Sequence, residues 1–152
     1  MRTQKTRMLV TAVFSAAISS CASRAARLNL PEATAVGKMV VTCPGSDEDL
    51  DREVVINDPK AVERFLAFLE AHNGGWHKPW GTFPTPRYTV ALKRDNALLL
   101  AIWVGGSWIG GREGSGDSGE RLRILSETER AEVLGILGAL PSDSGVAVAP
   151  VR

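Results

Sequence analysis

The chain is poor in the residues from which metal and redox sites are built. Among its 152 residues it has two cysteines, two histidines and one tyrosine. The histidines, His72 and His77, stand on either side of a predicted helix end, and no CxxC pair accompanies them. Because a zinc site needs three or four such ligands at matched spacing, we expect neither a metal nor another cofactor.

Motifs for catalysis and phosphate binding are also missing. Ser107 follows two glycines but does not lie in a Gly-x-Ser-x-Gly elbow. The glycine-rich stretch 110–120 lacks the Gly-Lys-Ser/Thr end of a P-loop, and its acidic residues would repel phosphate. The acidic cluster 47–51 does not continue as a calcium loop, because Arg52 and Asp58 replace the required glycine and glutamate. We therefore predict that the protein is not an enzyme.

No apolar run is long enough to cross a bilayer, which takes about 20 residues. The run from Met8 to Ile18 is shorter, and it follows a basic start, residues 1–7, that contains no acidic residue. A basic start, a short apolar stretch and small residues are typical of an export signal. Its removal takes away three of the 18 basic residues and none of the 17 acidic ones. The slightly acidic remainder gives no indication of a nucleic-acid partner.

The leader ends in Ile18-Ser19-Ser20-Cys21, a branched apolar residue, two small residues and a cysteine. This motif resembles the lipobox of bacterial lipoproteins, with Ile18 at the position where leucine is usual. The resemblance implies that the Cys21 thiol receives a diacylglycerol, that residues 1–20 are removed, and that further acylation, for example with palmitate, anchors Cys21 in a membrane. Several acyl chains anchor a protein stably where one binds only marginally. Ala22, which is not aspartate, implies sorting to the periplasmic side of the outer membrane.

Ordinary secretion is the alternative, with cleavage near residues 20–22 or 23–25 and a periplasmic or secreted product. The two readings differ in what they imply for Cys43, the second cysteine. If Cys21 is acylated, Cys43 has no intramolecular partner, and we expect it to be buried at the end of an apolar strand. If Cys21 is not acylated, a Cys21–Cys43 disulfide is open to the chain.

Composition divides the chain into four parts. After the signal, residues 1–20, come small residues and scattered arginines that indicate a tether over 21–32. The last stretch, 141–152, is rich in small residues and valine without a period and predicts a flexible tail. Between them we expect one domain, 33–140, which is large enough to bury a core.

Hydrophobic periodicity predicts an α+β domain with the order ββαββββα. Asp58 and Pro59 are an N-cap and first helical residue, and Ser126 with Glu129 forms a capping box. Hairpin turns predict a mostly antiparallel sheet, with both helices packed on one of its faces. The predicted strands are 37–43, 52–56, 87–93, 97–104, 107–110 and 121–125, and the helices follow the capping residues Asp58 and Ser126.

Two turns set the predicted register. A three-residue turn, 94–96, places Leu92 opposite Leu98 and keeps one face apolar. A two-residue turn at Gly105-Gly106 is a strong hairpin signal. It would place Ile102 opposite Ile109, and Trp103 opposite Trp108 on the other face.

The four tryptophans, Trp76, Trp80, Trp103 and Trp108, are the candidate binding residues. One interpretation is an aromatic platform, since flat rings stack on sugars or peptide groups and Trp is enriched at binding hot spots. The other is a minor core in which Trp76, Trp80 and Phe83 cover the Trp103/Trp108 pair. We favour the minor core, and predict that Trp76 or Trp80 contacts that pair.

A helix followed by Gly-Trp, Trp and Pro-Thr-Pro, and then by a Gly-Gly hairpin, is similar to small uncharacterised bacterial lipoproteins. This resemblance implies only an envelope location and a domain size. We expect a non-enzymatic binding or interaction module, anchored to the membrane by lipid and directed at a protein or cell-wall partner. The alternatives are an inhibitor of an envelope-directed enzyme, which would insert the 110–120 loop into a cleft, and a small hydrolase.

Overall fold

The secondary-structure elements follow the expected α+β order, with a single 3-10 turn at Ala33–Ala35 before the first strand. The computed structural model describes residues 26–43, 51–115 and 119–138. Cys21, the leader and the predicted tail lie outside these residues. No helix of the described part is long and apolar enough to cross a membrane. The elements are β1 (Lys38–Cys43), β2 (Arg52–Ile56), α1 (Pro59–Ala71), β3 (Tyr88–Arg94), β4 (Ala97–Val104), β5 (Trp108–Glu113), β6 (Arg121–Ile124) and α2 (Glu127–Gly138).

The six strands form one antiparallel sheet in the order β2-β1-β3-β4-β5-β6. The predicted hairpin of β1 and β2 is confirmed, with Val41 opposite Val54. β3 pairs with β1 rather than with its neighbour in sequence, β2. The chain between β2 and β3 contains α1, and so these two strands need no tight turn.

One face of the sheet carries the main core. Alternate residues of β1, β3 and β4 point to this face, as the period of two along a strand requires. The apolar stripes of both helices belong to the same cluster of buried residues. Its central members are Met39, Val41, Phe65, Leu69, Val90, Leu92, Leu100, Ile102, Ile109, Val133, Ile136 and Leu137.

Both predicted helix starts are confirmed. The side chain of Asp58 accepts a hydrogen bond from the Lys60 amide at 3.1 Å, and Pro59 is the first helical residue. At α2, the Ser126 amide donates to Glu129 Oε2 at 2.8 Å, and the Glu129 amide donates to Ser126 Oγ at 3.3 Å. These bonds satisfy backbone amides that have no partner inside a helix.

The predicted register of β3 and β4 is wrong by one turn residue. The turn contains two residues, Asp95 and Asn96, and Asp95 adopts a φ of 53°. A β-bulge in β4 absorbs Leu99, so that Leu92 lies opposite Leu100 rather than Leu98. Because the bulge adds one residue, Leu100 and Ile102 still reach the core face, whereas Leu98 lies opposite Lys93 and outside the core cluster.

The predicted Gly105-Gly106 turn is also wrong. Gly105 continues the ladder, donating its amide to the Trp108 carbonyl at 2.9 Å. Val104 lies opposite Ile109, and Trp103 lies opposite Gly110. The register differs from the prediction by two positions, so both indoles stay on one face but are diagonal neighbours. In this register position 105 requires glycine, because a Cβ there would collide with the indole of Trp108.

The second half of the predicted tether is part of the domain. Leu28 is only 3% exposed and belongs to the main core. Asn73, buried at the end of α1, binds both polar groups of its backbone: the Leu28 amide donates to Oδ1 and Nδ2 donates to the Leu28 carbonyl, each at 2.9 Å. Nearby, the Asn29 amide and side chain donate to the two carboxylate oxygens of Glu113 at 2.9 and 2.8 Å.

The predicted glycine-rich loop, 110–120, is shorter than expected. Its first part, Gly110–Glu113, belongs to β5. Glycine is favourable in this strand because packed side chains occupy the space of a Cβ, with Phe83 above Gly110 and Leu28 above Gly111. Residues 116–118 lie outside the described residues.

Cys43 ends β1 as a free, half-buried thiol that packs against the core. The expected full burial is therefore wrong in degree. Burial raises the pKa of the Cys43 thiol, and the nearby Arg52 guanidinium partly opposes this effect.

Candidate binding surface

The candidate site lies on the reverse face of the sheet, the face away from the helices. A strap, residues 78–87, connects the β6 edge to β3 across this face. At its start the His77 amide donates to the Leu122 carbonyl at 3.0 Å, and the Leu122 amide donates to the His77 carbonyl at 2.8 Å. At its end the Arg87 amide donates to the Val104 carbonyl at 2.7 Å. The strap is thus held at both ends by backbone hydrogen bonds.

Phe83 of the strap covers the two tryptophans of the reverse face. Its ring centroid lies 5.4 Å from that of Trp103 and 5.5 Å from that of Trp108, both tilted. A Cβ on Gly110 would lie 2.7 Å from Phe83 Cε1. Because glycine has no side chain, position 110 leaves the space that the Phe83 ring occupies. The minor core that the sequence predicted is present in this form, although the ring that covers the pair is Phe83.

Trp103 is packed on two sides. Phe83 lies on one side, and the Arg112 guanidinium carbon lies 5.8 Å from the ring centroid. An arginine over an indole at this distance is a cation–π contact. Trp108 is buried. Within the described residues, this arrangement makes Trp103 and Trp108 packing residues rather than an open platform.

Trp76 contacts neither Trp103 nor Trp108 in the described part of the chain; it lies in the main core on the opposite face. It is buried beside the N-terminal segment, where it forms an isolated antiparallel bridge with Ala26. Its Nε1 has no hydrogen-bond partner among the described residues. The prediction that Trp76 covers the pair is wrong, because the chain reaches the reverse face only after residue 77.

Trp80 is fully exposed, at 101% of its reference area. It stands between Pro79 and Gly81 on the strap, three residues before the buried contact of Phe83. The prediction that Trp80 covers the Trp103/Trp108 pair is therefore wrong. The other large apolar side chain that the described residues leave exposed is Ile124 of β6, at 63%. Of the four predicted site tryptophans, Trp76 and Trp108 are buried, Trp103 is partly buried, and Trp80 is fully exposed.

The polar residues that could carry chemistry join α1 to α2. His72 Nδ1 lies 2.9 Å from Glu129 Oε1, and His72 Nε2 lies 3.4 Å from Glu132 Oε2. Glu129 also forms an ion pair with Arg123. The hydrogen bond from Arg123, assisted by Ser126 and opposed by burial, lowers the pKa of Glu129 to about 2. This junction holds the two helix ends together.

Within residues 26–43, 51–115 and 119–138, no group of three or more histidine, cysteine, aspartate or glutamate residues is arranged to hold a metal ion. His77, the second histidine, is exposed, and its backbone makes the strap's first bridge. Sequence reasoning did not single out Asn73 or Arg112. Each acts through a partner distant in sequence, and no local pattern marks it.

Comparison of the chain with protein-family models, with curated proteins and with solved structures finds no match.

Proposed function

We propose that the chain is an envelope lipoprotein, anchored through acylated Cys21 on the periplasmic side of the outer membrane, and that its domain is a non-enzymatic interaction module. The Ile18-Ser19-Ser20-Cys21 motif after a basic and apolar leader supports the anchor. The position of the folded domain is consistent with it. The first described residue is Ala26, so cleavage before Cys21 would remove none of the described residues.

The observation that carries the interaction role is the exposure of Trp80. Burying a large apolar side chain contributes about 1.5–3 kcal/mol, and the fold leaves this contribution unused at Trp80. Both ends of the strap are held by backbone hydrogen bonds and Phe83 fixes its middle. An indole presented on a fixed segment loses little conformational freedom on binding, which is favourable for a hot spot.

The histidine and glutamate side chains that could act in catalysis make contacts within the fold instead, and this supports a binding role. Both ring nitrogens of His72 face carboxylates of α2. The Glu129 carboxylate binds Arg123 and caps α2. The partner is then a component of the envelope that Trp80 reaches, a protein or the cell wall being the first candidates.

Mass spectrometry of the membrane fraction tests the anchor. A full-length protein expressed in a bacterial host should yield an N-terminus at Cys21 that carries diacylglycerol and a further acyl chain. Cys21→Ala should release the protein from the membrane. Cys43→Ala is the matched control and should leave both acylation and membrane association unchanged. An unmodified N-terminus, or equal membrane association of Cys21→Ala, would contradict the proposal.

A further inference from the structure

The N-terminal segment leaves the domain beside the start of the strap. Ala26 pairs with Trp76, which precedes Trp80 by four residues. Cys21 precedes Ala26 by five residues, and a fully extended chain of five residues spans at most ~18 Å. By the same limit Trp80 lies within ~14 Å of Trp76 along the chain. Lipid chains on Cys21 would therefore hold this edge of the domain close to the membrane surface.

We name this region the anchor edge and define it as residues 26–30, 74–87 and 121–125. Backbone hydrogen bonds between His77 and Leu122 join its second and third segments. Both large apolar side chains that are exposed among the described residues, Trp80 and Ile124, belong to it. Tryptophan is enriched at the boundary between membrane and water, because its ring is apolar and its N–H is polar.

The segments of the anchor edge carry only basic charges, and the acidic side chains that contact them, Glu113 at Asn29 and Glu129 at Arg123, come from β5 and α2. The three segments of this edge contain no aspartate or glutamate, although acidic residues outnumber basic ones in the chain after residue 20. Arg27, Lys78 and Arg87 are exposed there. Its other basic residues make internal contacts, Arg121 with the Arg27 carbonyl and Arg123 with Glu129. Anionic lipid headgroups attract basic side chains that lie near the membrane surface.

We propose that Trp80 is a second membrane contact, which inserts into the headgroup region of the bilayer that holds the acyl chains of Cys21. This inference rests on the proposed lipoprotein and names the bilayer as the component that Trp80 reaches. The position of the anchor, the exposed apolar side chains and the positive charge all occur at the same edge. Binding of a soluble partner would not require the anchor, the exposed apolar side chains and the positive charge to lie at the same edge. The short link to Cys21 also makes contact with the bilayer an intramolecular event of high effective concentration.

Fluorescence quenching by brominated lipids tests the proposal. The full-length protein is purified from membranes of the expression host and reconstituted into phosphatidylethanolamine–phosphatidylglycerol vesicles, with or without lipid brominated near the headgroup. We expect the brominated lipid to quench part of the tryptophan emission. Trp80→Ala should abolish this quenched part. Trp103→Phe is the matched control, because it removes a packed indole and keeps Trp80, and it should retain the quenching.

The charge of the edge gives a second measurement. Lys78→Glu should reduce the quenched fraction in vesicles that contain phosphatidylglycerol and leave it unchanged in purely zwitterionic vesicles. Each basic residue near an anionic surface strengthens binding by about fivefold, so the effect of reversing one charge is measurable. A reduction of equal size in both kinds of vesicle would contradict the electrostatic part of the proposal.

The same samples separate failure of the inference from failure of the proposed function. The mass of the N-terminus reports acylation independently of fluorescence. An acylated protein without quenching, or with the same quenching in Trp80→Ala, would overturn the second contact and leave the lipoprotein standing. A shift of Trp80 emission with soluble cell-wall fragments, in the absence of lipid quenching, would assign Trp80 to a glycan and overturn the inference. An N-terminus without acyl chains would overturn both.

Discussion

Leu28 occupies the space that a side chain at position 111 would need. A Cβ on Gly111 would lie 2.7 Å from Leu28 Cδ1, well inside van der Waals contact. The N-terminal segment is therefore fitted to a strand that lies more than eighty residues later in the chain. This contact makes residues 26–30 a structural part of the domain, and it gives a direct test of their packing.

Gly111→Ala should destabilise the domain by about 1–3 kcal/mol, because an added methyl in a packed region forces its neighbours to move. Chemical denaturation of the full chain measures the free energy of unfolding. Gly106→Ala is the control, since nothing lies within 4 Å of a Cβ at that position. Equal stability of the Gly111 and Gly106 variants would show that Leu28 does not fill this space.

Asn73→Ala should cost about 1–3 kcal/mol, because it leaves the buried Leu28 amide and carbonyl without partners. Asn73→Asp should be intermediate, since a carboxylate still accepts from the amide but cannot donate to the carbonyl. Hydrogen exchange at the Leu28 amide measures the local effect. Unchanged protection in Asn73→Ala would mean that the amide is not held by this side chain.

Trp103→Ala should lower the thermal stability sharply, since truncating a packed large aromatic residue costs roughly 3–5 kcal/mol. The Phe83→Ala variant should be coupled to it, with the pair losing less than the sum of the two single losses by about 0.5–1.5 kcal/mol. Trp80→Ala is the control and should melt like the parent, because its side chain is fully exposed. If Trp103→Ala keeps the parent melting temperature but loses binding to a partner, the platform interpretation replaces the structural one.

The Glu129 junction predicts a loss of stability in acid. The pKa of Glu129 is lowered to about 2 in the folded state, whereas an unfolded glutamate titrates near ~4.3. The folded state therefore gains stability above ~4.3 and loses it as the pH falls toward 2, on the order of 2–3 kcal/mol. Urea unfolding between pH 6 and 2 measures this slope, because the range runs from above the unfolded pKa of the carboxyl down to its folded pKa.

Glu129→Gln should flatten the slope between these two pH values, since the amide does not titrate. Glu127→Gln, in the same first turn of α2, should keep the parent profile. A Glu129→Gln variant whose stability still falls as steeply as that of the parent would place the acid-sensitive group elsewhere in the chain.

The element order could be predicted because its signals are local. Asp58 with Pro59, and Ser126 with Glu129, are helix starts within four residues of sequence, and the structure contains both. The alternating apolar residues of β3 also fix which side faces the core. The bulge at Leu99 changes which residues of β3 and β4 lie opposite each other, but Leu100 and Ile102 still point to the core. The core could therefore be predicted better than the register.

The errors have a common physical origin in contacts between distant residues. The Gly-Gly pair predicts a turn at Gly105, but the glycine leaves room there for the indole of Trp108. The local sequence predicts that Leu28 belongs to a tether, because its hydrogen-bond partner Asn73 is 45 positions away and leaves no local signal. Phe83 was one of three aromatic residues that could have covered the reverse face, and only the path of the strap around the β6 edge decides among them.

The two bridges beside β6, Ala26 with Trp76 and His77 with Leu122, affect how copies of the protein can associate. Exposed strand edges are templates for pairing with another chain, and natural proteins cover them to avoid association. Here Leu122 already exchanges backbone hydrogen bonds with His77, and Trp76 in turn pairs with Ala26. Two copies meeting side by side at this edge would find the Leu122 backbone groups already bonded, and so the pairing of residues 76–77 also limits sheet-to-sheet association there.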